Sequence, residues 1–81
     1  MTTIIGETIK VGAVFSGAVV QPRWFDHRQR RHEVAAITYQ WRSRAGEAVL
    51  LHFAVSDGTN LFELSFNQQS LAWRLEKSGA V

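Results

Sequence analysis

Apolar residues recur at every second position along much of the chain, the spacing of half-buried β-strands. Leu61-Phe62-Glu63-Leu64-Ser65-Phe66 puts Phe62, Leu64 and Phe66 on one face. Leu71-Ala72-Trp73-Arg74-Leu75-Glu76 puts Leu71, Trp73 and Leu75 on one face and Arg74 and Glu76 on the other. The polar run Asn67-Gln68-Gln69-Ser70 separates the two, so the pair reads as a hairpin. From Ala48 to Ser56, Val49, Leu51, Phe53 and Val55 alternate with Leu50, His52, Ala54 and Ser56. The second set is only weakly polar, which predicts a central strand or one covered on both sides. The turn pair Asp57-Gly58 follows. Ala48 to Leu75 is therefore expected to form a three-stranded meander.

The first half is less regular. Thr8 to Phe15 alternates with Ile9, Val11, Ala13 and Phe15 inward, and Ser16-Gly17 reads as a turn. Val19 to His27 reads as a strand in which Pro22, lacking an N–H, belongs at an edge or bulge. Arg28-Gln29-Arg30-Arg31 reads as a polar loop at a hairpin tip. His32 to Arg42 reads as one long strand with Ile37, Tyr39 and Trp41 on its core face. Val34 has the opposite parity, which a β-bulge near Ala35-Ala36 would reconcile. Ser43-Arg44-Ala45-Gly46 supplies the next turn. No stretch has a convincing helical period. The expected fold is all-β: a strongly bent antiparallel sheet of about six strands, rolled into a small barrel or half-barrel that closes its edges. Residues 1–81 form one small domain in this reading, with 1–7 and 77–81 as frayed ends.

At 81 residues the chain has room for one domain, burying about 60–65% of its unfolded surface. A core that small needs large side chains, and the 5 Phe, 3 Trp and 1 Tyr supply them. There is no cysteine, which excludes disulfides and thiolate metal sites and fits a reducing compartment. The N-terminus lacks the basic and apolar regions of a signal peptide, and no apolar run approaches a membrane span of about 20 residues. A cytoplasmic location without a membrane partner is the expectation. Charge is segregated: between residues 10 and 44, Lys10, Arg23, Arg28, Arg30, Arg31, Arg42 and Arg44 stand against only Asp26 and Glu33, whereas carboxylates outnumber bases from residue 45 onward.

Pro22-Arg23-Trp24-Phe25-Asp26-His27-Arg28-Gln29-Arg30-Arg31-His32-Glu33-Val34, with Ile37 and Trp41 following, forms one block; Phe62-Glu63-Leu64-Ser65-Phe66 and Trp73 form a second. Together they resemble a bacterial family of small proteins of unknown function whose genes often neighbour those of error-prone DNA polymerases. The chain departs from that family's pattern: Gln29 stands where the turn has Gly, His27 and His32 stand for aromatics, and Asp26 is unusual. The resemblance implies a DNA-repair context and an inward-facing Phe25.

The candidate chemistry is sparse. His27 and His32 flank the arginine loop and are expected to face each other across it, but Asp26 and Glu33 alternate to the other face, so no metal site is expected. No serine has a strand–elbow–helix setting. Glu63 and Glu76 lie opposite Arg74, which suggests cross-strand pairing. No phosphate-binding glycine loop is present. These absences point to a non-enzymatic protein without cofactors. Basic and aromatic residues interleave from Arg23 to Arg31, as in small β-barrels that stack bases in a basic groove. With Phe25 inward, Trp24 points outward. The predicted activity is nucleic-acid binding, single-stranded or polymerase-bound, through Arg23, Trp24, Arg28, Arg30, Arg31, Arg42 and Arg44. Arg28, Arg30 and Arg31 are expected to serve binding and not stability. The alternative is a protein-interaction or homo-oligomerisation module, a monomer or weak homodimer, using an exposed edge with Val19, Val20 and Trp24 to meet itself or a DNA-polymerase-associated protein.

Overall fold

The structure, a computed structural model, describes residues 2–80. Seven strands form one antiparallel sheet: β1 (Thr2–Ser16), β2 (Val19–His27), β3 (Arg30–Glu33), β4 (Ala36–Ala45), β5 (Ala48–Ser56), β6 (Asn60–Asn67) and β7 (Trp73–Ala80). Their order is β3-β2-β1-β7-β6-β5-β4. The expected meander is present as β5-β6-β7, and the long β1 joins it to the β1-β2-β3 half by pairing with β7. The sheet is not closed, because β3 and β4 are its two outer strands and do not pair.

Alternation locates the core where one face of β5, β6 and β7 is apolar. Phe53, Val55, Phe62, Leu64, Phe66, Trp73 and Leu75 are buried there, and Phe25 of β2 joins them. Phe25 meets Phe62 edge to face at 4.9 Å, so β2 lies over β6 although the two strands are not neighbours in the sheet. Asp57-Gly58 makes its turn as expected: Asp57 Oδ1 accepts from Thr59 N and Asn60 N at 2.9 and 2.7 Å. Pro22 sits at a bulge, where Gly12 pairs with Trp24 and Ala13 with Pro22, leaving Arg23 as the extra residue.

Several expectations need correction. The strand predicted over 32–42 is interrupted at Val34-Ala35, whose amides are drawn to different strands: Val34 N donates to Arg23 O and Ala35 N to Ser56 O, both at 2.8 Å. The residues expected to fray are strand within the described region, with Thr2 opposite Gly79 and Thr3 opposite Ser78. The turn expected over 43–46 moves to Gly46, whose φ of 62° is a left-handed conformation suited to glycine, and Ser43 and Arg44 stay in β4. Leu71, expected inward, is 68% exposed with φ 64°, because the turn after Asn67 turns it out before β7 begins. Phe15, also expected inward, is 58% exposed and meets the core ring of Phe66 edge to face at 5.7 Å.

The bulge with most consequence is in β4. It falls at Thr38, between Ile37↔Val55 and Tyr39↔Ala54, and not near Ala35-Ala36. One extra residue exchanges the two faces of everything after it. Ile37 packs against the core, but Tyr39 and Trp41 emerge on the outer face, with Tyr39 66% exposed. Gln40 and Arg42 now lie opposite Phe53 and Leu51, on the side the sequence pattern assigns to the rings.

Candidate functional site

The part of β2 that β3 does not cover faces the edge strand β4 across an opening. At its inner end Val34 and Ala35 bridge from β2 to β5. Next to this bridge, Gln21, Pro22, Arg23, Val34, Ala35, Ala36, Ile37 and Gln40 line one hollow. Further along, Ala18, Val19 and Val20 of the β1–β2 hairpin face Gln40, Trp41, Arg42, Leu51, His52 and Phe53 across a second hollow of about 260 Å³. A third hollow of about 240 Å³ is lined by Arg42, Ser43, Arg44 and Val49. Arg23, Arg42 and Arg44 are thus spread along one seam, and no carboxylate residue lines any of the three hollows. The floor is apolar where Val19, Val20, Leu51 and Phe53 meet it.

The structure separates the seven residues predicted for binding into groups. Arg23, Arg42 and Arg44 belong to the seam. Trp24 and Arg31 lie together on the outer face of β1-β2-β3. There the Trp24 ring lies on Gly12 of β1, so closely that a Cβ at Gly12 would fall 2.1 Å from ring atoms. The Arg31 guanidinium covers the ring at 3.7 Å from its centroid, and Lys10 Nζ lies 5.9 Å away. Arg31 also donates from Nε and Nη2 to Asp26 Oδ1 and Oδ2 at 2.9 and 3.2 Å. These hydrogen bonds hold the Asp26 carboxyl below the usual carboxylate range and raise the Arg31 guanidinium above its ordinary value. Trp24 is a packed ring with a cation already on its face.

Arg28 and Arg30 form the last group. The predicted four-residue loop is a two-residue turn, with Arg28 at φ 53° and Gln29 at φ 62°. Positive φ at both central positions is the type I′ pattern that twists with the strands. Arg30 and Arg31 therefore begin β3, opposite His27 and Asp26. The same register corrects the histidine pairing. His32 is opposite Phe25 and stacks on it at 4.9 Å, while its Nδ1 lies 3.3 Å from Asp57 Oδ2. His27 Nε2 instead faces Glu7 at 3.7 Å. Among the described residues no three His, Cys, Asp or Glu side chains converge.

The sequence reading missed an aromatic platform on β4. Tyr39 stacks on Trp41 at 5.6 Å, and Trp41 stacks on His52 of β5 at 5.0 Å and 8°. Its outermost ring, Tyr39, is the exposed one. The pattern Tyr39-x-Trp41-x-Ser43 is visible in the chain, but its outward direction depends on the extra residue at Thr38. Below the platform, Ser65 Oγ donates to Glu76 Oε2 at 2.7 Å, Arg74 Nε pairs with Glu76 at 3.5 Å, and Lys77 Nζ pairs with Glu63 at 3.8 Å. Only Glu63 is paired across strands, and its base is Lys77 and not the expected Arg74; Arg74 pairs with Glu76 of its own strand. The chain matches no family model, no curated protein and no solved structure.

Proposed function

We propose that this protein is a binding module for single-stranded nucleic acid, held along the free edge of β4. In this reading the bent sheet is a half-barrel left open along the β2–β4 seam. One observation carries it: Arg42 and Arg44 line the seam on one side of the edge strand, while Tyr39, exposed and stacked on Trp41, stands on the other. Arg23 lines a neighbouring hollow of the same seam. A flexible strand along this edge meets guanidiniums for its phosphates and a π-face for a base, the two components of sequence-tolerant single-strand binding. Tyr39, and not Trp24, is then the stacking residue, because Arg31 occupies Trp24. The resemblance to the family beside polymerase genes would place such a ligand in DNA repair.

The test is fluorescence anisotropy of labelled single-stranded DNA, duplex DNA and RNA at several salt concentrations. Three neutralised phosphates on a single strand predict a log–log salt slope of about −2. Single strands should bind better than duplex. Absence of binding at low salt, or binding indifferent to salt, removes this reading.

A second reading has its own support. Among the described residues the outer edge of β4 has no partner strand, and Val19, Val20, Leu51 and Phe53 give part of the seam an apolar lining. An extended peptide with acidic side chains could add to that edge, its carboxylates meeting Arg42 and Arg44. Such a complex would bury apolar surface and weaken much less with salt.

A further inference from the structure

A different chemistry lies on the outer face of β4, β5 and β6. Ser43, His52 and Glu63 stand on three consecutive sheet positions and follow one diagonal across them. Ser43 Oγ lies 2.7 Å from His52 Nε2. On the far side of the ring, His52 Nδ1 faces Glu63 Oε2 at 3.7 Å. Nδ1 is buried and has no hydrogen-bond partner among the described residues, so the Glu63 carboxylate is the charge it faces. A proton on Nδ1 is favoured by that carboxylate and leaves the Nε2 lone pair for the Ser43 hydroxyl. Trp41, stacked parallel to the imidazole, fixes the ring plane. Lys77 Nζ holds the other Glu63 oxygen at 3.8 Å. The order nucleophile, base, orienting carboxylate is that of an activated serine, and it is recognised by geometry and not by chain order.

We propose that Ser43 is a reactive nucleophile toward small activated acyl esters, with His52 as its base and Glu63 as a positioning residue. Ser43 Oγ bonds to the acyl carbon as the bond to the leaving alcohol breaks. The hydroxyl proton passes to His52 Nε2 and then to the departing alkoxide. Water, deprotonated by the same nitrogen, cleaves the acyl-serine to release the carboxylic acid and restore the hydroxyl. This activity goes beyond strand binding and does not depend on it.

The probe is a small alkyl fluorophosphonate, in which Ser43 Oγ would displace fluoride, with the adduct located by peptide mass mapping. p-Nitrophenyl acetate reports turnover in parallel. Wild type should be labelled at Ser43 and not at Ser65, which donates to Glu76 and is 2% exposed. Ser43→Ala should lose the adduct, and His52→Gln should slow labelling by about a hundredfold or more, the usual range for a lost general base. Glu63→Gln should shift the ¹⁵N signals of the His52 ring away from the Nδ1–H tautomer, a change that simple packing support would not cause. An unlabelled Ser43 in folded wild type, label spread evenly over the serines, or His52→Gln reacting at the wild-type rate would overturn the proposal. Should His52→Gln fail to fold, selectivity among the serines of wild type decides by itself.

Discussion

Trp24 illustrates how one residue's neighbours decide its role. Its ring lies flat on the backbone of Gly12, the residue opposite it in the β1–β2 ladder, and beneath Arg31. A glycine facing a large ring is a paired device in which the ring covers the bare backbone. Gly12→Ala should force the ring out and cost about 1–3 kcal/mol, in the range of overpacking, as read in a urea melt. Unchanged stability would show that the ring swings away freely. Leu71 makes the opposite case. An L-residue with a positive φ is strained, and a side chain 68% exposed returns little by burial. Leu71→Gly should raise stability by up to about 1 kcal/mol. Neither Arg31 nor Leu71 was legible from local sequence. Arg31 reads as one of three equivalent loop arginines until a two-residue turn places it opposite Asp26. Leu71 fits the alternation of Trp73 and Leu75 but precedes the start of their strand.

At the scale of elements, β5, β6 and β7 follow directly from the chain. Their alternation matches the buried face from Phe53 to Leu75 within the strands, and the one register shift, at Glu76, comes after the last core residue, so local pattern and tertiary environment agree. β4 does not follow, because its inward face depends on a bulge whose position is set by the packing of the whole sheet. Either parity of 39–44 leaves something awkward at an edge. With the rings outward, Trp41 finds cover on His52, and the guanidiniums reach solvent through the seam. Inward-pointing charge on an edge strand also obstructs edge-to-edge association. Replacing Arg42 and Arg44 with Val should therefore promote self-association, visible as a concentration-dependent rise in sedimentation coefficient. A variant that associates no more than wild type would mean that the edge is protected by some other feature. β1 was underestimated for a related reason. Gly6, at φ 66°, lets the strand kink between Ile4 and Glu7 and continue along β7, a path that no periodic pattern announces.

At the scale of the molecule, the apolar core and a few polar contacts hold the bent sheet in shape. Trp73, in contact with Phe66 and Phe53 at 4.7 and 5.7 Å, should cost about 3–5 kcal/mol when replaced by Ala, enough to unfold a domain of this size. The β2–β3 hairpin is tied to the β5–β6 turn by His32 and Asp57. The Asn60 amide, then the Thr59 amide and His32, hold the Asp57 carboxyl below its ordinary range despite partial burial. A lowered carboxylate value makes the unfolded chain take up the proton first. The associated stability is therefore present above the unfolded value of about 3.9 and is lost as pH falls through the folded one. Asp57→Asn, which keeps an acceptor for the turn, should flatten the fall in urea midpoint between about pH 5 and pH 2; parallel curves would show that Asp57 does not contribute to it. The central claim is that the ligand strand lies along the seam and not on the arginine turn. It is tested most directly by comparing two variants in the same single-stranded DNA titration. Arg23, Arg42 and Arg44 all changed to Gln should abolish most of the affinity and of its salt dependence, whereas Arg28→Gln with Arg30→Gln should leave both nearly as in wild type. The reverse ranking, or equal losses from the two variants, would contradict the account.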